Sequence, residues 1–105
     1  MGQFTVHRNA NPDTKTAIPY LLDVQSNLIE DLGTRVVVPL YPVSAMKGKI
    51  VRNLMPILEI DGKQFVMMTP QMAGIPKRAL GASVADLSIK RSEIISAIDF
   101  LVLGF

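Results

Sequence analysis

The dipeptide Asp61-Gly62 constrains the fold of this chain more than any other feature of its sequence. It stands between two apolar runs, and this pair is preferred in the two-residue type I′ turn that joins antiparallel strands. Such a turn pairs apolar residues across the two strands, namely Leu58 with Phe65 and Ile57 with Val66. The two pairs lie on opposite faces, so both faces of the hairpin carry large apolar side chains. A hairpin of this kind belongs in a barrel or beneath a helix.

Other segments also predict short strands. Residues 4–7 resemble a strand, and the alternation in residues 20–24 is typical of a half-buried one. Residues 36–38 are a run of three valines, and Pro39 after them indicates a sheet edge or a bulge. Residues 9–15 are polar and rich in turn formers, which predicts a surface loop.

Two further segments are predicted to lack a long regular element. Residues 26–33 form a loop that contains two adjacent apolar residues, Leu28 and Ile29. Residues 70–81 hold two prolines and two glycines that are expected to break any long element.

The period of the apolar residues changes near the end of the chain, where it becomes that of an amphipathic helix facing the core. Seven positions fall within an arc of about 120° on a helical wheel. They are Leu87, Ile94, Ile95, Ile98, Leu101, Val102 and Phe105. Ser88 is a candidate N-cap for this helix, and Asp86 is the alternative.

Leu103 breaks this helical pattern. It falls about 180° from the apolar stripe, on the polar face and next to Asp99. Gly104 and Phe105 follow, so a glycine joint separates two large apolar side chains. This end is either a frayed terminus with an incidental leucine or a contact site for a protein partner.

The composition favours a protein that buries apolar surface against another chain. Hydrophobic residues make up 49% of the 105 residues, which is more than one small domain needs for its core. We expect a single domain over residues 1–105 and a homodimer that covers the surplus.

The residue types present exclude several classes of site. The chain has no cysteine and one histidine, His7, which cannot form a metal site alone. Its glycines are isolated, so no phosphate-binding loop is expected. The basic residues are scattered and the net charge is only +2, so no direct sequence-specific binding of nucleic acid is expected. No signal pattern or membrane-length apolar run is present, which predicts a cytoplasmic protein. We therefore expect no catalytic residue, no cofactor and no metal.

Short motifs along most of the chain have an order and spacing that are typical of one family. They are Asp23-Val24-Gln25-Ser26, Val38-Pro39-Leu40, Met67-Met68-Thr69, Met72-Ala73, Pro76, Val84-Ala85-Asp86-Leu87-Ser88, Ala97-Ile98 and Gly104. Together they resemble the CcdB toxins, which are the toxin halves of CcdA–CcdB toxin–antitoxin modules. Only residues 8–19 depart from the family in length and composition.

The resemblance implies a mainly β fold, in which a small SH3-like β-barrel carries an additional small antiparallel sheet and one C-terminal α-helix. It also implies a homodimer that binds the A subunit of DNA gyrase and traps the enzyme on cleaved DNA. The toxin itself would catalyse no reaction. A CcdA-type antitoxin would neutralise it through a largely disordered arm that folds on binding.

The family's gyrase-contacting positions fall on six residues of this chain. They are Leu28, Ile29, Asp99, Leu103, Gly104 and Phe105. The best-studied members have tryptophan, stacked on a gyrase arginine, at the position of Leu103 and asparagine at that of Asp99. They have isoleucine at the position of Phe105. Leucine cannot supply the cation–π energy of about 0.5–2 kcal/mol, whereas an aspartate can pair with the arginine.

Two other interpretations stay open at this point. Toxins of the MazF and Kid type share the fold but cleave RNA, which requires acid–base and cationic groups that converge on a phosphate. The chain could also be a toxin homologue that has lost its potency and persists as a binding module.

Overall fold

The computed structural model describes residues 2–29, 33–48 and 50–104, which form one antiparallel sheet and, within those ranges, one α-helix. The elements are β1 (Thr5–Asn9), β2 (Tyr20–Asp23), β3 (Thr34–Pro42), β4 (Ile57–Ile60), β5 (Lys63–Met67), β6 (Ala73–Pro76), β7 (Leu80–Asp86) and α1 (Arg91–Leu103). Six strands follow the order β4-β5-β3-β2-β1-β7, and β6 branches off β3. This curled half-barrel with a C-terminal helix confirms the predicted fold class. The resemblance implied a small additional sheet. Here β6 pairs with β3 and so belongs to the same sheet as the other strands.

The hairpin formed by β4 and β5 has the predicted register. Leu58 pairs with Phe65 and Ile57 with Val66. Asp61 and Gly62 have φ angles of 57° and 78°, and a type I′ turn requires positive φ at both positions. One face is buried through Leu58 and Phe65, and the other through Val66.

Strand β3 changes partners in its middle, and this explains Pro39. Residues 34–37 pair with β6, whereas residues 40–42 pair with β5. Pro39 lies in the gap between these partners, where its carbonyl accepts a hydrogen bond from the Met68 N–H at 3.0 Å. The proline therefore lies in a long central strand and not on an edge strand, at a point where the ladder on one side is interrupted.

Strand β7 was not predicted, because small and polar residues dominate its sequence and most of its side chains are exposed. Its pairing with β1 defines it, and that pairing contains two register shifts. Gly81 permits the close approach, since a Cβ there would lie 2.9 Å from the Arg8 carbonyl oxygen. Residues 70–81 thus contain the four-residue β6 and the start of β7, and no long element lies within them.

Helix α1 follows a 3₁₀ turn, Ser88–Lys90. The Asp86 carboxylate accepts a hydrogen bond from the Ser88 N–H at 2.8 Å. Hydrogen bonds from the Ser88 backbone and side chain hold the pKa of Asp86 below its ordinary value. The N-cap is Leu87 for this turn and Lys90 for α1, and neither has a side-chain cap hydrogen bond, so neither Ser88 nor Asp86 is the predicted N-cap.

The apolar stripe of α1 packs against the core only as far as Ile98. Ile94 and Ala97 are fully buried, but Leu101 and Val102 are exposed. The expectation that the whole stripe faces the core was therefore wrong for the last turn. Among the described residues, no buried or half-buried helical residue after Ile98 packs against the core cluster.

Candidate partner-binding surface

The last turn of α1 presents three consecutive aliphatic side chains to solvent. Leu101, Val102 and Leu103 are 38%, 70% and 58% exposed. Successive helical residues point about 100° apart, so these side chains surround the helix end. Single exposed aliphatic residues are ordinary, but a contiguous group is typical of an interaction site.

An open groove of about 870 Å³ runs along the polar face of α1. Its helical wall is made by Ser92, Glu93, Ser96, Asp99, Phe100 and Gly104, and its opposite wall by Arg52, Asn53, Pro56 and Ile57. Ser92 and Ser96 are one turn apart, and their short side chains leave room between the two walls. The groove joins two of the predicted contact residues, Asp99 and Gly104.

The charges in this groove differ in their pairing. Glu93 forms an exposed ion pair with Lys90 at 3.4 Å, and such pairs contribute little to stability. Asp99 makes no hydrogen bond or ion pair with any of the described residues. Its carboxylate is therefore available to accept hydrogen bonds from a bound partner. Arg52 supplies a cation on the opposite wall.

Gly104 ends the helix in a defined conformation. Its φ of 79° lies in the left-handed region, and its N–H donates to the Phe100 carbonyl at 2.9 Å. A Cβ would meet no atom within 4 Å, so the dihedral angle and not space requires glycine. The residue is thus a helix C-cap and not the flexible joint that the sequence suggested. Phe105, which was also predicted as a contact residue, lies outside the described residues.

Leu28 and Ile29 lie on the loop between β2 and β3. Leu28 is 95% exposed and Ile29 is 49% exposed. Neither is among the described residues that line the groove at α1. Within one chain, therefore, the structure brings Asp99, Leu103 and Gly104 together on one helix end and places the other two on a different element.

Arg52 and Phe100 were missed as lining residues of the groove. Phe100 lies one residue after Asp99, but the helical wheel gave no reason to select it. Arg52 belongs to an irregular segment, and no local pattern places that segment beside α1. Only the tertiary structure reveals the second wall.

The groups that could carry other chemistry are buried or dispersed. His7 is 5% exposed, and its Nδ1 lies 3.1 Å from the Gly81 carbonyl oxygen. Its imidazole therefore does not line a surface groove. Across residues 2–29, 33–48 and 50–104, no three His, Asp or Glu side chains are grouped as a metal site would need. No helix in that part of the chain is long and apolar enough to cross a membrane.

The family model of the CcdB protein matches residues 3–104. The chain belongs to the CcdB family. This confirms the resemblance inferred from the motifs. CcdB proteins are toxins of toxin–antitoxin systems that generally target gyrase as poisons and not as catalysts, and membership implies an antitoxin partner.

Proposed function

We propose that this CcdB-family protein binds the A subunit of DNA gyrase and traps the enzyme on cleaved DNA, which blocks replication and causes double-strand breaks. The helix end carries the proposal. Leu103 is exposed on the polar face beside the Asp99 carboxylate, which has no hydrogen-bond or ion-pair partner within residues 2–29, 33–48 and 50–104. An exposed leucine next to a free carboxylate suits a partner surface that presents an arginine at the rim of an apolar patch.

The proposed gyrase-binding patch consists of Leu28, Ile29, Asp99, Leu103, Gly104 and Phe105. Asp99 would form charge-assisted hydrogen bonds with a gyrase arginine, and Leu103 would pack against its aliphatic stem. The loop and the helix end are separate elements of one chain. A homodimer would offer gyrase two copies of each, because it contains two chains. Exposed Leu101 and Val102 give such a dimer apolar surface to bury.

The decisive experiment combines gyrase, supercoiled DNA and the purified protein. We expect linear DNA to accumulate after denaturation of the trapped complex. The double variant Leu103→Ala/Phe105→Ala should lose this activity and its toxicity in cells, while its melting temperature stays nearly unchanged. Ile89→Ala is the matched control, because Ile89 is 89% exposed but lies at the start of the helical segment.

Two results would contradict the proposal. One is undiminished toxicity of the double variant. The other is cleavage of RNA by the purified protein in the absence of gyrase, which would favour a MazF-like ribonuclease. Wild-type protein that neither traps gyrase nor cleaves RNA would indicate a homologue without potency.

Neutralisation by a CcdA-type antitoxin and action in the cytoplasm are part of the same proposal. Co-expression with the antitoxin encoded beside the toxin gene should restore growth. Sedimentation equilibrium of the purified toxin should give the mass of a dimer, and a monomer at micromolar concentration would contradict the homodimer.

A further inference from the structure

A buried ion pair lies beneath the loop that carries Leu28 and Ile29. Arg35 and Asp23 are 1% and 0% exposed. The Arg35 Nε and Nη2 donate to the two Asp23 carboxylate oxygens at 2.8 and 3.0 Å. Buried ion pairs do not in general stabilise a protein more than apolar residues of similar volume. Stability alone therefore does not explain why this ion pair is buried here, and a role in function is considered instead.

Gln25 connects the ion pair to the loop. Its backbone N–H donates to Asp23 Oδ1 at 3.0 Å, and its carbonyl accepts from Arg35 Nη2 at 3.3 Å. Its side-chain Oε1 accepts from the Val36 N–H at 3.0 Å, while its Nε2 donates to the Ile29 carbonyl. One buried side chain thus ties the loop backbone to β3.

The tip of the loop has further attachments. The Leu28 N–H donates to Ser26 Oγ and the Ile29 N–H to the Ser26 carbonyl, both at 3.1 Å. The Gln3 N–H donates to Asn27 Oδ1 at 2.8 Å. The backbone on both sides of the exposed Leu28 side chain is therefore held at several points.

The sheet holds both residues of the ion pair in place. Asp23 is the last residue of β2 and pairs with Val37, and Arg35 near the start of β3 pairs with Ile75 of β6. The Val24 N–H donates to the Val36 carbonyl at 3.0 Å just beyond the β2 ladder. The ion pair thus extends the β2–β3 connection into the loop.

We propose that Asp23, Gln25 and Arg35 are positioning residues, which hold Leu28 and Ile29 in the conformation that the protein partner binds. All three are buried, so they act through the loop and do not touch the partner. Preorganisation raises affinity because ordering of the loop is completed on folding and not on binding. The identity of the partner as gyrase rests on the proposed function.

The test is a double-mutant cycle between Gln25→Met and Leu28→Ala, read as affinity for the gyrase A subunit. Methionine has a similar length but cannot hold the Ile29 carbonyl or the Val36 N–H. We expect Gln25→Met to weaken binding by about tenfold. Leu28→Ala should then cost less affinity in the Gln25→Met background than in the wild type.

Hydrogen exchange of the free toxin provides a readout that does not depend on gyrase. The amides of Leu28 and Ile29 should exchange faster in Gln25→Met, while those of the β4–β5 hairpin stay protected. Gln25→Asn is the second variant, since it keeps the amide and adds no charge beside the Asp23 carboxylate, but its shorter side chain cannot bond both the Ile29 carbonyl and the Val36 N–H. It should accelerate exchange at the loop even if Gln25→Met does not fold.

Ile60→Val is the matched control for lost stability, because Ile60 is buried on edge strand β4. Its cycle with Leu28→Ala should be additive. An additive cycle for Gln25→Met, or unchanged exchange at the loop in either Gln25 variant, would overturn the positioning role. Failure of the wild type to bind gyrase, with exchange accelerated as expected, would contradict only the identity of the partner.

Discussion

The loop of Leu28 and Ile29 and the last turn of α1 both present aliphatic side chains to solvent, but they are held in different ways. The loop depends on side-chain hydrogen bonds from the buried residues Asp23, Gln25 and Arg35, of which Gln25 donates to the Ile29 carbonyl. The helix end depends on its own backbone hydrogen bonds and on the Gly104 cap. Buried substitutions should therefore change the loop at a distance, whereas the helix end should respond mainly to substitution of its own residues.

The largest expected effect is the loss of stability in Arg35→Ala, which removes the ion pair beneath the loop. The substitution leaves the Asp23 carboxylate buried without its cation, which should cost about 3–5 kcal/mol of unfolding free energy. Urea denaturation measures this loss. Arg78→Ala is the control, because Arg78 is exposed and should change stability by less than about 0.5 kcal/mol. Equal effects of the two substitutions would show that the buried ion pair does not stabilise the fold.

Leu103→Trp tests the helix end by adding an interaction, whereas Arg35→Ala removes one. It introduces a ring face next to Asp99 and should strengthen gyrase binding by about 0.5–2 kcal/mol if an arginine lies there. Surface plasmon resonance with the gyrase A subunit measures the change. Ile89→Trp, at another exposed aliphatic position, should leave the affinity unchanged. Weaker binding of Leu103→Trp would indicate that gyrase meets this helix end without an arginine.

Gly104→Ala tests whether the helix end is held by its cap. Alanine at a φ of 79° should cost about 1 kcal/mol of unfolding free energy. Gly74→Ala serves as the control, because a Cβ at Gly74 also meets nothing within 4 Å and its φ is not positive. If thermal denaturation shows the same small change for both variants, the cap does not stabilise the helix.

The smallest effect is expected at the start of the helical segment. The pKa of Asp86 is lowered in the folded protein by its hydrogen bonds to Ser88, so its stabilising contribution is complete above the unfolded value of 3.8 and is lost as the pH falls through the lower folded value. Asp86→Asn should therefore be less stable than the wild type at pH 7, and the difference should shrink below about pH 3.8. A stability difference that does not change with pH would show that the hydrogen bonds from Ser88 to Asp86 do not stabilise the fold.

Local sequence patterns predicted part of the fold and part of the candidate site. The β4–β5 hairpin followed from Asp61-Gly62, because a two-residue turn fixes the register of its own strands. The position of Leu103 opposite the apolar stripe followed from the helical period, whereas the exposure of the whole last turn did not. The motifs identified the family, which the match over residues 3–104 confirms.

The sequence by itself thus determined the elements whose geometry is set by neighbouring residues, namely the hairpin, the helix and the odd position of Leu103. Tertiary structure decided what depends on residues distant in the chain. Strand β7 exists because β1 pairs with it, and the last turn of α1 is exposed because the core does not reach it. The ion pair between Asp23 and Arg35 joins two strands across twelve residues. No local pattern encodes that pair, because its partners meet only once β2 and β3 have paired.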